Sequence, residues 1–405
     1  MTGTEVFFVD GAVGTQVEEL ARVLGEEKGV SDVEKYVQEI SGRTDVTAAV
    51  VSESSGGVLA KLSEERIESA YNQLFAIAAL ESSGGVDNIA EVVAKDIAEH
   101  AENGVAGLRV LNSLYNVTKS GNARAAVFGG LAELAGRTQT AAALVAVVPR
   151  ISAMVNEWGV KARKQGLVSL LALRKAFDEG QLSNEAYAVE LAYLTASNLE
   201  EMDIEQIAQV AKSAIVRFAN LSGVCDVDAL AGLPTVQTLV KLEKLATAGG
   251  LLENMLGSDY EQWQKYSKEN HEDLTALGVD LERAGDKMRL LTLASLAAER
   301  VGQPIEYTEI AKAIDVEEDD VELWVIDVVR SGLVQGKMHQ GSRTLVPSRS
   351  TFRHFGTPQW QHLAQRLDEW RVALDSLLPV VRNAREIAQQ QANNSSGQAR
   401  VTIAE

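Results

Sequence analysis

The chain is 405 residues long, carries a net charge of −19 and is 46% hydrophobic. That length gives room for about two to four domains, and the acidic balance works against a chain-wide grip on phosphate backbones. Cys225 is the only cysteine, which excludes an intrachain disulfide and a thiolate metal cluster and suits a reducing compartment.

Six prolines and few aromatics, against abundant Ala, Leu, Val and Glu, favour helix. The first residues lack the basic start of a signal peptide, and no apolar run approaches the roughly 20 residues needed to cross a bilayer. A cytoplasmic protein with no membrane partner is expected. The longest apolar run, Ala141–Val148, predicts a buried helix.

In chain order, helices are predicted near Gln16–Leu24 and Asp32–Ile40, then over Glu64–Leu80 between loops at 52–57 and 81–86. Amphipathic stretches then alternate with short polar breaks: Val105–Val117, Ala123–Ala135, Lys161–Phe177, Ser183–Thr195 and Ile204–Phe218. Ser183-Asn184-Glu185 and Asp203 read as N-caps. Successive helices with short connections and no strict sequence period predict stacked helix pairs, an α-solenoid.

The pattern changes near residue 286. Asp286–Glu299 is helical, Pro304–Glu306 extended, and Thr308–Ile314 helical again. Val321–Arg330 follows, with Val321, Trp324, Val325 and Val328 on one face and Gly332 as its left-handed cap. Val334–Met338 and Thr344–Val346 flank the turn 339–342 as a hairpin. Helix, short strand, helix, helix, hairpin is the order of a winged helix.

From Trp360, apolar residues recur at Leu363, Leu367, Trp370, Leu374, Leu377, Val381, Ala384 and Ala388, in alternating steps of three and four. This is a heptad seam, suited to lying along partner helices. Pro379 is expected to kink or interrupt it. The mainly α architecture therefore divides into 1–185 (helical repeats), 186–285 (further helices), 286–350 (winged helix), 351–390 (heptad helix) and 391–405 (a disordered tail).

No chemistry-bearing constellation emerges. Val6–Val9 followed by Asp10-Gly11 resembles a strand and glycine turn but lacks the spacing of a phosphate loop. None of the five histidines forms a metal-ligand pair, and no nucleophile elbow is present. An enzyme, a cofactor and a metal are not expected.

Charge is uneven across the winged helix. Residues 317–330 hold six acids and one base, which would repel a DNA groove. Residues 328–366 hold six bases and no acid. Lys337, Arg343, Arg349 and Arg353 are candidates for contact with RNA or an acidic partner. The same cations could equally pair with the acidic helix start or cap helix ends within the chain.

Several runs carry a resemblance. They are Met288-Arg289-Leu290-Leu291-Thr292-Leu293, Asp319-Asp320-Val321-Glu322, Val325–Arg330, Val346-Pro347-Ser348-Arg349-Ser350-Thr351, Phe355-Gly356 and Gln359–Leu363. Together they resemble the family of M subunits of eukaryotic translation initiation factor 3, PCI-domain proteins. The likeness is tight over 286–371 and looser but collinear over 105–285, where Leu108–Asn116 and Trp158 fit. It implies a helical arm, a winged helix (the PCI module) and a C-terminal helix that joins a bundle with other subunits of the factor. It also implies a non-catalytic scaffold that supports binding of the 40S small ribosomal subunit and recruitment of initiator tRNA and messenger RNA. In such proteins winged helices meet edge to edge, so the hairpin Val334–Val346 would offer an edge strand. The interface candidates are Trp360, Leu363, Leu367, Trp370, Leu374, Leu377, Val334 and Val346. Other readings are a PCI subunit of the signalosome or proteasome lid, and a free RNA-binding protein using 328–366.

Overall fold

The structure is a computed structural model and describes residues 12–43, 45–80, 85–199 and 202–398. The apolar run Val6–Val9 lies outside the described residues.

Short polar side chains start many of the helices by accepting amides that lack an intrahelical partner. α1 (Val13–Glu27) leads to α2 (Val33–Ser41), capped by Asp32, and α3 (Val46–Ser54), capped by Asp45. The loop expected at 52–57 thus begins only at Ser55. α4 (Glu64–Leu80) and α5 (Val86–His100) precede α6 (Gly104–Val117), opened by Asn103, and α7 (Gly121–Arg137).

Ala141–Arg150 is a ten-residue 3₁₀ helix with only Ala141 and Leu144 buried, not the buried α-helix its apolar run suggests. Pro149 cannot donate the amide an α-helical continuation would need. α8 (Ile151–Trp158), α9 (Arg163–Glu179), α10 (Ser183–Ala196) and α11 (Ile204–Asn220) follow. Ser183 is the first residue of α10, and its cap position is taken by Leu182 without a side-chain bond. Asp203 does cap α11, accepting from the Glu205 amide at 3.0 Å.

Helices α5, α7 and α9 stack side by side and parallel. Arg137, at the end of α7, donates to the Ala98 carbonyl at the end of α5 (2.8 Å), and Ser169 of α9 donates to Ala125 of α7 (2.9 Å). Gly130 permits the α5–α7 approach, since a Cβ there would lie 2.9 Å from the Ala94 carbonyl oxygen. This is solenoid stacking, each pair burying its face on the next.

Five shorter helices, α12 (Asp228–Ala231), α13 (Pro234–Lys241), α14 (Thr247–Gly257), α15 (Tyr260–Glu269) and α16 (His271–Ala276), turn the chain into α17 (Leu281–Glu299). β1 (Ile305–Glu306), α18 (Tyr307–Ile314), α19 (Val321–Arg330), β2 (Val334–His339) and β3 (Thr344–Ser350) then appear in winged-helix order. Gly332 takes φ +78° just past α19, where an L side chain would be strained. The sheet order is β1-β3-β2, all antiparallel.

Two apolar cores result. One runs from Val17 to Leu291 and the other lies under the winged helix. α17 serves both, giving Ala284, Met288 and Leu291 to the first and Leu290, Leu293, Ala294 and Ala297 to the second.

The last element, α20, spans Thr357–Gln398. Its 42 residues make a helix of about 63 Å. Pro379 sits inside it instead of interrupting it. The helix also continues through 391–398, in place of the disordered tail expected over 391–405, whose residues 399–405 lie outside the described residues.

Candidate assembly surface

The seam predicted on α20 is exposed along its length. Trp360, Leu367, Trp370, Leu374 and Leu377 are 61%, 53%, 62%, 61% and 55% exposed, and Leu363 is 40%. Polar side chains of α20 bond within the helix, Gln365 to Glu369 at 3.0 Å and Arg371 to Asp368 at 3.8 Å. Burying six such side chains on a partner would be worth on the order of 10 kcal/mol, before the cost of association. A continuous exposed apolar stripe of this kind is rare on a chain that works alone.

A strap of six residues, 351–356, joins β3 to α20 and is tied down both beside and along its length. Ser350 Oγ donates to the Ala294 carbonyl at 2.8 Å, just ahead of the strap. Arg353 donates to the Ser258 carbonyl at the end of α14 (2.6 Å) and to Thr292 Oγ1 of α17 (3.3 Å). Asp228 of α12 takes both the His354 ring, Nδ1 at 2.6 Å, and the Phe355 amide at 2.8 Å. Phe355 then meets the Trp360 ring edge-on, with centroids 4.9 Å apart. The base of α20 is thereby fixed to the arm, while its body stands clear.

The basic candidates separate into two kinds. Arg343 pairs with Glu318 (2.8 Å) and Asp319 (3.7 Å) at the start of α19, and the Glu318 carboxylate holds its guanidinium above the usual range. Arg353 is largely enclosed, and burial pushes its pKa down to about 10. These two serve the chain's own fold. Lys337 and Arg349 are exposed on the hairpin, and among the described residues neither has an ion pair.

The wing places its two apolar candidates inward or centrally. The Val334 side chain is fully buried in the winged-helix core. Val346 is half-buried on the central strand and faces Lys337 across the ladder. The free edge on the wing side is β2, so what Val334 offers a neighbouring strand is backbone alone. The exposed edge residues are Gln335–His339.

Two buried charges were invisible in the sequence pattern. Lys287 of α17 donates to the Phe218 and Leu221 carbonyls at the end of α11 and lies 3.4 Å from the Phe218 ring centroid. Desolvation lowers its pKa to about 7. Glu190 of α10 is fully buried, bonded by Ser213 (2.7 Å) and Arg217 (3.1 Å), and desolvation still holds its carboxyl above the usual range. Both tie helices together inside the core. Only the helical periodicity around each residue was available beforehand, and that marks burial, not charge pairing.

Among the described residues no group of three or more His, Cys, Asp and Glu is placed to hold a metal. No helix among them is long and apolar enough to cross a membrane.

Comparison with known proteins adds two matches in the region just described. Residues 264–349 match the PCI domain, and residues 353–381 match a family described as eIF3 subunit M, C-terminal helix. Eukaryotic translation initiation factor 3 subunit M of Phaeosphaeria nodorum is 29% identical over 297 residues, 72% of this chain and 66% of that protein. The subunit M of Schizosaccharomyces pombe is 32% identical over 226 residues, 55% of this chain and 54% of that protein. That of Coccidioides immitis is 26% identical over 392 residues, 93% of this chain and 83% of that protein. The aligned stretches thus span about half to two thirds of the first two relatives and most of the third.

Proposed function

Since this chain belongs to the family of eukaryotic translation initiation factor 3 M subunits, we propose that it is a non-catalytic scaffold of that factor, held in the complex by α20. The observation that carries this is a coincidence of position. The exposed seam from Trp360 to Leu377 lies within the residues that match the family's C-terminal helix, 353–381. Trp360 and Trp370 supply most of the binding energy, because large aromatics dominate hot spots. The bare β2 edge gives a second contact, adding a neighbour's strand through its backbone.

In this reading the helical repeats of 1–285 form an arm, 286–350 is the winged helix, and the chain works in the cytoplasm beside the 40S subunit. Lys337 and Arg349 are the cations left for RNA or an acidic partner.

The test is Trp360→Ala with Trp370→Ala in the tagged full chain. The double variant is expected to lose co-elution with the other subunits while its circular dichroism stays unchanged. Co-elution at the wild-type level would overturn the role of α20.

A further inference from the structure

The arm carries a groove that the C-terminal contacts do not use. It holds about 540 Å³ between α6 and the segment 141–158, with Phe128 and Leu131 of α7 as its floor. The two walls run in the same direction. A Cβ at Gly104, the start of α6, would strike Thr138, which bonds Thr140 at the start of the opposite wall. At the far end, the Trp158 indole donates to Tyr115 Oη at 3.0 Å.

The second wall is the unusual 3₁₀ run. Runs of that helix beyond three or four residues are uncommon, and its side chains eclipse every third position. Leu144, Val147 and Arg150 therefore stand in one row, grading from buried to exposed along the groove. On the first wall, Asn112 and Asn116 are exposed one turn apart, and among the described residues neither has a side-chain hydrogen bond.

The charges lining the groove are not equivalent. Arg109 pairs with Glu68 (3.3 Å) and Glu64 (3.7 Å), and Glu157 pairs with Arg124 (3.9 Å). Arg150 is exposed and has no ion pair among the described residues, though it sits between Val147 and Met154 in the lining.

We propose that this groove binds an extended segment of a partner protein, apolar at alternate residues and carrying a carboxylate that meets Arg150. An extended segment suits the Asn112 and Asn116 amides, each able to donate to and accept from one peptide unit. Their rise along α6 is about 6.0 Å. Alternate residues of an extended chain repeat every 6.6–6.8 Å or so. A helical occupant has its backbone already bonded and would leave those amides idle. The apolar lining takes the side chains that point inward, and the arginine selects for an acid. This inference does not rest on the role given to α20, because the groove lies on the arm.

The test places p-benzoylphenylalanine at Ala146 in the tagged full chain, expressed in place of the native copy. Photo-adducts are mapped to peptides by mass spectrometry, and co-purifying subunits are scored separately. Adducts on one partner peptide with an Asp or Glu among alternating apolar residues are expected. Arg150→Glu should cut the yield about tenfold or more, and Asn112→Ala with Asn116→Ala should cut it as well. Both variants should keep the wild-type melting temperature, since all three side chains are exposed. Adducts to RNA, to a second copy or to residues 6–10 of the same chain would overturn the proposal. So would adducts indifferent to Arg150→Glu, or none above a label placed at Lys175. An Asn variant that changes nothing would also overturn it, in favour of a helical occupant. If the tagged chain fails to bring down the other subunits yet gives the expected adduct, the scaffold reading falls and the groove stands.

Discussion

Helices α17 and α20 are built from similar residues and put to opposite uses. α17 is apolar on nearly every side, with Met288, Leu290, Leu291, Leu293 and Ala294 all buried, so it can only sit between two layers. α20 carries a stripe of apolar residues at alternating three- and four-residue steps, widened by Val372, Leu378, Val380 and Ile387, and all of these large side chains face solvent. A helix buried on nearly every side joins cores within a chain, while an exposed heptad seam suits partner helices.

Single truncations should separate the two with the largest effect of those considered. Leu293→Ala removes a fully buried side chain from the winged-helix core and is expected to cost about 2–5 kcal/mol, seen as a lower urea midpoint. Leu374→Ala should leave the melt of the isolated chain where it was while weakening assembly. A matching loss of stability in Leu374→Ala would mean that α20 packs on its own chain, and the contrast would collapse.

The same pair of helices shows what a sequence discloses. The alternation from Trp360 and the winged-helix order were legible because each depends on local period and on turn residues such as Gly332. What escaped depends on distant partners. Arg353 and Arg349 look alike in a basic stretch, yet one reaches Ser258 and Thr292 and the other stays in solvent. Lys287 interrupts an apolar pattern, and nothing local says that two carbonyls at the end of α11 await it. The run 141–148 reads as a buried helix because hydrophobicity marks neither a 3₁₀ helix nor an exposed wall. Of the candidate surface, the α20 seam was therefore readable, while the groove and the strap were not.

The two arginines give the next effect in size. Arg353→Ala strands the Ser258 carbonyl and should destabilise the chain by about 1–3 kcal/mol. Arg349→Ala should leave the melt unchanged. Equal melts for the two variants would return Arg353 to the surface and restore it as a contact for RNA or an acidic partner.

α17 also carries a pH signature. Lys287 has its folded pKa lowered to about 7 from 10.5. Between those values the unfolded chain binds the proton that the folded chain does not. Stability should therefore rise with pH across that window, by at most about 1.4 kcal/mol per pH unit. Below about pH 7 the lysine is charged in both states and its slope vanishes. Lys287→Met should remove this contribution, so the difference between wild-type and variant stability should carry the slope. A difference that stays flat across the window would mean that the two carbonyls and the Phe218 ring keep the buried ammonium charged.

The smallest effect concerns the join between arm and α20. Asp228 accepts the His354 ring and the Phe355 amide with one carboxylate, so the strap is held by a residue more than a hundred positions earlier. Asp228→Asn keeps the shape but removes the charge that strengthens both bonds. The global melt should fall by only about 1 kcal/mol. The Phe355 amide should exchange about fivefold faster, because its acceptor becomes a neutral oxygen. Amides in the middle of α20 should not change, since their bonds are intrahelical. If the Phe355 amide already exchanges in the wild type as fast as in an unfolded peptide, the strap is not fastened, and α20 is as free at its base as along its body. If the variant speeds Phe355 alone, the base is a fixed point, and the seam is presented to partners in a direction set by the arm.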